Sequence, residues 1–205
     1  MEHRRLGRTG LRVSSVGLGT MTWGRDTDEL EAKEQLDIFL DAGGTLVDTA
    51  ASYGEGVSEE VIGTLLREHV DRQDLVLVSK AGVRTWRTGE RSSVADASRG
   101  SLLDTLDTSL ARLGTDHLDL LLVQVPDPST SLEETAHALS LAVSSGRARY
   151  VGIANHPAWA SVRMHDLLSE CGRGPGLAAV EVEHSLLSRG IERELRPASQ
   201  ALGFG

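Results

Sequence analysis

The chain has 205 residues, of which 40% are apolar and 25% charged, with a formal net charge of -9; this is the profile of one globular domain with room for a sizeable core. The acidic balance argues against nucleic acid and anionic membrane as main partners, because both attract basic surfaces. A single cysteine, Cys171, excludes an internal disulfide and a thiolate metal cluster. With no apolar h-region behind "MEHRRLGRTG" and no run long enough to span a bilayer, a cytoplasmic protein is expected.

In chain order, "HRRLGRTGLRVSS" predicts a short hairpin around Gly7–Gly10. It is followed by "SVGLGT" (15–20) and a helix carrying Ala32, Leu36, Phe39 and Leu40. Five more short apolar runs then alternate with segments of helical period: 45–49, 75–79, 118–123, 149–153 and 178–182. The intervening helical faces carry Ile62, Leu65, Leu66 and His69, then Leu103, Leu106, Leu110 and Leu113, then Leu132, Ala136, Leu139 and Val143. Trp159, Val162, Leu167 and Leu168 mark the next face, and Ile191, Leu195, Ala198 and Leu202 the last. Asp28 with Glu31 and Ser131 with Glu134 have capping-box spacing. Gly43, Gly114 and Gly146 stand where helices want a left-handed residue after their last turn.

Strands apolar throughout are strands buried on both faces, and strand–helix units with no hairpin between them imply a parallel sheet with crossover helices. An open dinucleotide-binding sheet normally carries G-x-G-x-x-G after its first strand, and "GLGTMTWG" lacks it. The expected fold is therefore an α/β barrel of the TIM type. A closed barrel needs eight strands and the count here stops at six, so the reading is an incomplete barrel: one domain over residues 1–205, truncated before its last two strand–helix units.

Active sites of such barrels lie at the C-terminal ends of the strands. The residues that fall there are Asp48 and Tyr53, Lys80, Gln124 and Asp127, Ala154 and Asn155, and Glu181. Asp48, Tyr53 and Lys80 form a chemical set. A phenol is a poor acid at neutral pH, an adjacent ammonium favours its ionisation, and a carboxylate holds the ammonium in place. Tyr53 is the expected general acid, acidified by Lys80, which Asp48 orients.

Six segments in series, "GLGTMTWG", "DAGGTLVDTAASYGEGVSEEVIG", "VLVSKAG", "SLARLGTDHLDLLLVQVPDP", "SGRARYVGIAN" and "VEVEHSLLSRGIE", resemble the aldo-keto reductases. The branch they look most like includes the potassium-channel beta subunits and many bacterial reductases. The resemblance implies a TIM-type barrel that uses NADPH without metal to reduce the carbonyl of a small aldehyde or ketone. By position it carries the catalytic roles to Asp48, Tyr53 and Lys80, and sets Gln124 where the family usually has histidine. Glutamine can orient a carbonyl by hydrogen bonding but cannot move a proton. The resemblance also implies cofactor contacts from Gly19, Thr20 and Met21 and, at the nicotinamide amide, from Asn155 and Glu181; Ala154 stands where the family has serine. The pyrophosphate loop and the residues reading the adenosine 2′-phosphate would lie beyond Gly205.

Bland readings stand beside these. Asp48 alone suits an Asx turn, Gln124 suits a structural amide and Glu181 an ion pair inside the barrel. Asp116 and Asp119 read as turn and packing residues, and His184 as a packing position. No histidine pair has metal-ligand spacing. Trp23 and Trp86 fall on strand-to-helix loops and are candidates to line a substrate pocket, with Trp86 in a polar loop from Gly82 to Asp96. Besides a reductase, the sequence is compatible with a silent or regulatory nucleotide-binding relative and with an inert fragment. It does not give the oligomeric state.

Overall fold

A computed structural model gives the architecture; it describes residues 1–86, 92–171 and 176–205, with backbone alone at residues 85, 86 and 92. Six parallel strands form one curled sheet in the order β10-β9-β8-β5-β4-β3. These are β3 (Gly17–Gly19), β4 (Leu46–Asp48), β5 (Val76–Ala81), β8 (Leu118–Val123), β9 (Ala148–Ala154) and β10 (Ala179–Glu181). All five pairings are parallel, as expected for an incomplete TIM barrel. The helices α1 (Glu29–Asp41), α2 (Val57–Glu68), α3 (Arg99–Leu113), α4 (Leu132–Ser144), α5 (Ala158–Glu170) and α6 (Leu195–Leu202) follow the successive strands.

The core has two layers because the sheet is covered on both faces. Between sheet and helices lies the larger cluster, built on Leu77, Leu106, Leu113, Leu121, Leu139, Ile153 and Met164. The concave face carries a smaller one, Val78, Leu120, Leu122, Ala178 and Ala179, joined by Leu6, Leu46 and Tyr150. Strand β8 is buried at all six positions, which is why its sequence is an unbroken apolar run apart from Asp119. The predicted hairpin is present as β1 (His3–Arg5) paired antiparallel with β2 (Arg12–Ser14). Its Leu6, Leu11 and Val13 reach the concave side. The last residues run along the outer edge of β10: Gly205 N–H donates to Ala178 O at 2.9 Å and Val180 N–H to Gly205 O at 2.8 Å. At mid-sheet Gly152 is required by close approach, since an added Cβ would stand 2.5 Å from the Ala179 carbonyl oxygen.

Helix boundaries follow the sequence signals. Asp28 caps α1 with the full reciprocal capping box to Glu31. At α4 only half of that box forms: Ser131 accepts the Glu134 N–H, while the Glu134 carboxylate accepts the Arg99 N–H of α3 at 3.0 Å. Gly43, Gly114 and Gly146 have φ of 79°, 66° and 80°, the left-handed conformation that glycine adopts without steric cost.

Four readings are corrected. A hairpin does interrupt the strand–helix alternation: β6 (Val83–Trp86) pairs antiparallel with β7 (Ser92–Ala95), where a loop was expected. Lying outside the main sheet, it needs no apolar alternation and so gave no periodic signal. Trp159 is not on the inner face of α5 but 69% exposed, and Met164 is the buried residue in its place. His69 is the C-cap of α2 rather than part of its face. Ile191 belongs to a separate turn, Gly190–Glu192, and α6 starts only at Leu195. Among the described residues no helix is long and apolar enough to cross a membrane.

Candidate active site

The site stands at the C-terminal end of the sheet, built on backbone pairing that runs past the strands themselves. Beyond β4, Thr49 N–H donates to Val78 O at 2.9 Å and Ala51 N–H to Lys80 O at 3.1 Å. The chain is thereby held beside β5 up to Lys80. A turn closed by the Tyr53 N–H on Ala50 O at 3.0 Å then brings the phenol over the lysine.

The result is a compact charged group. Lys80 is 2% exposed, and its Nζ lies 2.6 Å from each Asp48 carboxylate oxygen, 3.2 Å from Thr49 O and 3.4 Å from Tyr53 Oη. The ammonium is also 5.2 Å from the centroid of the Tyr53 ring, within cation–π range. A third acid joins from β10, with Glu181 Oε1 3.3 Å from Lys80 Nζ. Burial disfavours the ammonium, yet the Asp48 and Glu181 charges outweigh it and leave Lys80 above its ordinary value.

Lys80 acts on Tyr53 in the expected acidifying direction, by charge and by hydrogen bond, but it is outweighed. Burial raises the phenol above its ordinary value; Lys80 opposes that, but Asp48 and Glu181 add to it, and the net direction is upward. The sequence reading counted the cation and omitted both the loss of solvent and the second carboxylate. Glu181 is itself pushed up, by burial first and by the Asp48 charge next, against the pull of Lys80.

Gln124 begins the loop after β8. Its backbone N–H donates to Ala81 O at 2.8 Å, and Ser52 Oγ donates to its side-chain Oε1 at 2.9 Å. That leaves the amide N–H groups as what Gln124 offers the site. Asn155, at the end of β9, has φ of 61°, a left-handed conformation that Asn tolerates better than most residues. Its Nδ2 donates to Gln124 O at 3.0 Å and its backbone N–H to Glu181 O at 2.8 Å. The side-chain oxygen is the acceptor it retains. Ala154 is fully buried.

Other expected contacts divide. Gly19 is exposed, with no atom within 4 Å of an added Cβ, and Met21 is 53% exposed, so both are accessible. Thr20 is corrected as an open side-chain contact: it is fully buried, its Oγ1 hydrogen-bonds to Asp48 O at 3.0 Å and to Ser58 Oγ at 2.8 Å, and it supports the strand end. Trp23 is corrected likewise. It has no exposed surface, packs in the main core and donates its indole N–H to Gln35 at 2.9 Å. The β-strand backbone of Trp86 ends β6, while its side chain lies outside the described residues.

The sequence reading missed Ser52, which fixes Gln124, and Ser58, which ties Thr20 to Thr49. A hydroxyl on each side of Tyr53 was the available signal, too common to be distinctive. Asp127 is structural. Although burial opposes ionisation, bonds from Thr130, the Ala97 N–H and the Ser129 N–H hold its carboxyl below the ordinary range and anchor the start of α3.

The model of the aldo/keto reductase family matches residues 15–205. The chain belongs to that family. Among its curated relatives, the Bacillus subtilis aldo-keto reductase YhdN is 32% identical over 202 residues, which cover 96% of this chain and 58% of YhdN. Norsolorinic acid reductase of Aspergillus flavus is 30% identical over 206 residues, 96% of this chain and 53% of that protein. A probable voltage-gated potassium channel subunit beta of Oryza sativa is 32% identical over 211 residues, 100% of this chain and 62% of that one. The chain thus spans between 53% and 62% of the length of these three relatives.

Proposed function

We propose that this aldo-keto reductase chain carries the catalytic end of an NADPH-dependent reductase that converts a small aldehyde or ketone to an alcohol in the cytoplasm. The observation that carries the reading is the contact of Tyr53 Oη with a buried lysine, 3.4 Å away and clamped by both oxygens of Asp48. When bound, NADPH would supply the hydride for the carbonyl carbon. Tyr53 gives its proton to the carbonyl oxygen, which stays bonded to carbon as the alcohol hydroxyl while the phenol becomes phenolate. Lys80 stabilises that phenolate until solvent returns the proton. A phenol held above its ordinary value remains protonated across the neutral range, as a proton donor must.

The donor set suits the amide end of a nicotinamide. Asn155 retains a side-chain acceptor at the end of β9, and Gly19 leaves open space at the end of β3. Gln124 orients the substrate oxygen by hydrogen bonding and transfers no proton. The names of two relatives, a reductase and a channel beta subunit, fit catalytic and regulatory uses of one scaffold. Presence of the phenol–lysine–aspartate group favours the catalytic one. Incubation with NADPH and a reactive aromatic aldehyde tests this: cofactor consumption with equimolar alcohol supports the reading. NADPH binding without turnover moves it to the regulatory alternative, and neither binding nor turnover indicates an inert chain.

A further inference from the structure

The Lys80 ammonium is oversubscribed. Five oxygens lie within 3.4 Å of Nζ: both of Asp48, the Thr49 carbonyl, Glu181 Oε1 and Tyr53 Oη. An ammonium has three hydrogens to give. The Asp48 oxygens, each at 2.6 Å, are the nearest, so Tyr53 and Glu181 contend with the Thr49 carbonyl for what remains. Asp48 comes from β4, Lys80 from β5, Tyr53 from the turn after β4 and Glu181 from β10. The charges of Asp48 and Glu181 act on both Lys80 and Tyr53, and the flanking Gln124 and Asn155 are neutral. With both acids ionised, two negative charges face one positive charge before the phenol loses its proton.

We propose that Glu181 is a second counter-ion to Lys80, a positioning residue that competes with Tyr53 for the ammonium, keeps the phenol protonated and thereby biases the site towards protonating a carbonyl rather than deprotonating an alcohol. Burial is the first cause of the raised Tyr53 value, and the Glu181 charge acts in the same upward direction. Glu181 also fits this role sterically. Its side chain is 46% exposed, against 2% for Lys80, so removing its charge leaves the buried Lys80–Asp48 pair in place. The inference rests on the reductase reading for its consequence, but the coupling itself is measurable without cofactor.

The test is a tyrosinate absorbance titration of the wild type, Glu181→Gln, Glu181→Asp and Tyr53→Phe proteins. The chain has two tyrosines; the transition lost in Tyr53→Phe belongs to Tyr53 and the remainder to Tyr150. In Glu181→Gln the Tyr53 midpoint moves to lower pH, whereas Glu181→Asp, which keeps the charge, stays closer to wild type. In the same proteins the alkaline limb of kcat for reduction moves down with the midpoint, and the ratio of alcohol oxidation to carbonyl reduction at fixed pH rises in Glu181→Gln. An unmoved or raised midpoint in Glu181→Gln, or an aspartate variant that behaves like the glutamine one, overturns the proposal. A lowered midpoint in a chain without turnover supports the coupling and counts against the reductase reading alone. Turnover with an unmoved midpoint does the reverse.

Discussion

The two ends of the sheet each withdraw an acid from water, and they treat it differently. Near the N-terminal end, Asp119 on β8 is buried and meets Arg72 at 2.8 Å, Arg149 at 3.3 Å and the Leu77 N–H at 2.9 Å. Two cations and an amide serve one carboxylate, and both arginines keep access to solvent, with 20% and 59% of their side chains exposed. At the C-terminal end the ratio is inverted, because Asp48, Glu181 and a phenol share the single ammonium of Lys80. A satisfied ion pair stabilises and does nothing else. An unsatisfied one leaves a proton whose position is decided by small changes in charge, and that is the property a general acid needs.

Changing the central cation should separate the two ends most sharply. Lys80→Met removes the group that stabilises the phenolate, and kcat for carbonyl reduction is expected to fall about a hundredfold or more, within the range that acid–base groups contribute. Steady-state rates at saturating aldehyde check it, and a tenfold effect or less would mean that the cation is not part of the chemistry. At the other end, Asp119→Ala removes the carboxylate that two arginines and the Leu77 N–H share. A loss on the order of 3 kcal/mol in urea unfolding is expected, with kcat retained in the protein that remains folded. If Asp119→Ala instead lowers kcat without lowering stability, the division of labour between the ends is wrong.

The smallest expected effect is on the pH dependence of stability. Glu181 has a folded pKa raised above the ordinary carboxyl value by burial and by Asp48. Its contribution is therefore fully present below the unfolded pKa and is lost as pH rises through the raised folded value. Asp127 has the opposite sign. Burial raises it, but its bonds to Thr130, Ala97 and Ser129 outweigh that and depress its pKa, so its contribution is present above the unfolded pKa and lost as pH falls through the folded value. Denaturation midpoints against pH for Glu181→Gln and Asp127→Asn should deviate from wild type in these opposite windows. Deviations in the same window would contradict the assignment.

Much of the scaffold was legible because it rests on local signals. The buried strands are apolar runs, and the helix ends carry Asp28, Ser131, Gly43, Gly114 and Gly146 where cap geometry requires them. The β6–β7 hairpin was not legible, since an element outside the core has no burial pattern to betray it. Trp159 was misplaced for a related reason: helical spacing fits more than one face, and Met164 rather than Trp159 meets the sheet. Within the site, Asp48, Tyr53 and Lys80 were placed together correctly, but their charge balance was not. That balance depends on Glu181, which only the curvature of the sheet brings against Lys80. Thr20 and Trp23 show the same limit from the other side, because a position in a loop does not tell which way its side chain turns.

The proton that Tyr53 donates is the step on which carbonyl reduction at this site turns. Rates of aldehyde-dependent NADPH consumption should be compared between the wild type and Tyr53→Phe, with NADPH affinity and thermal midpoint measured on both. The predicted result is a loss of roughly two to four orders of magnitude in kcat with affinity and midpoint little changed. A phenylalanine variant that consumes NADPH at the wild-type rate would contradict it.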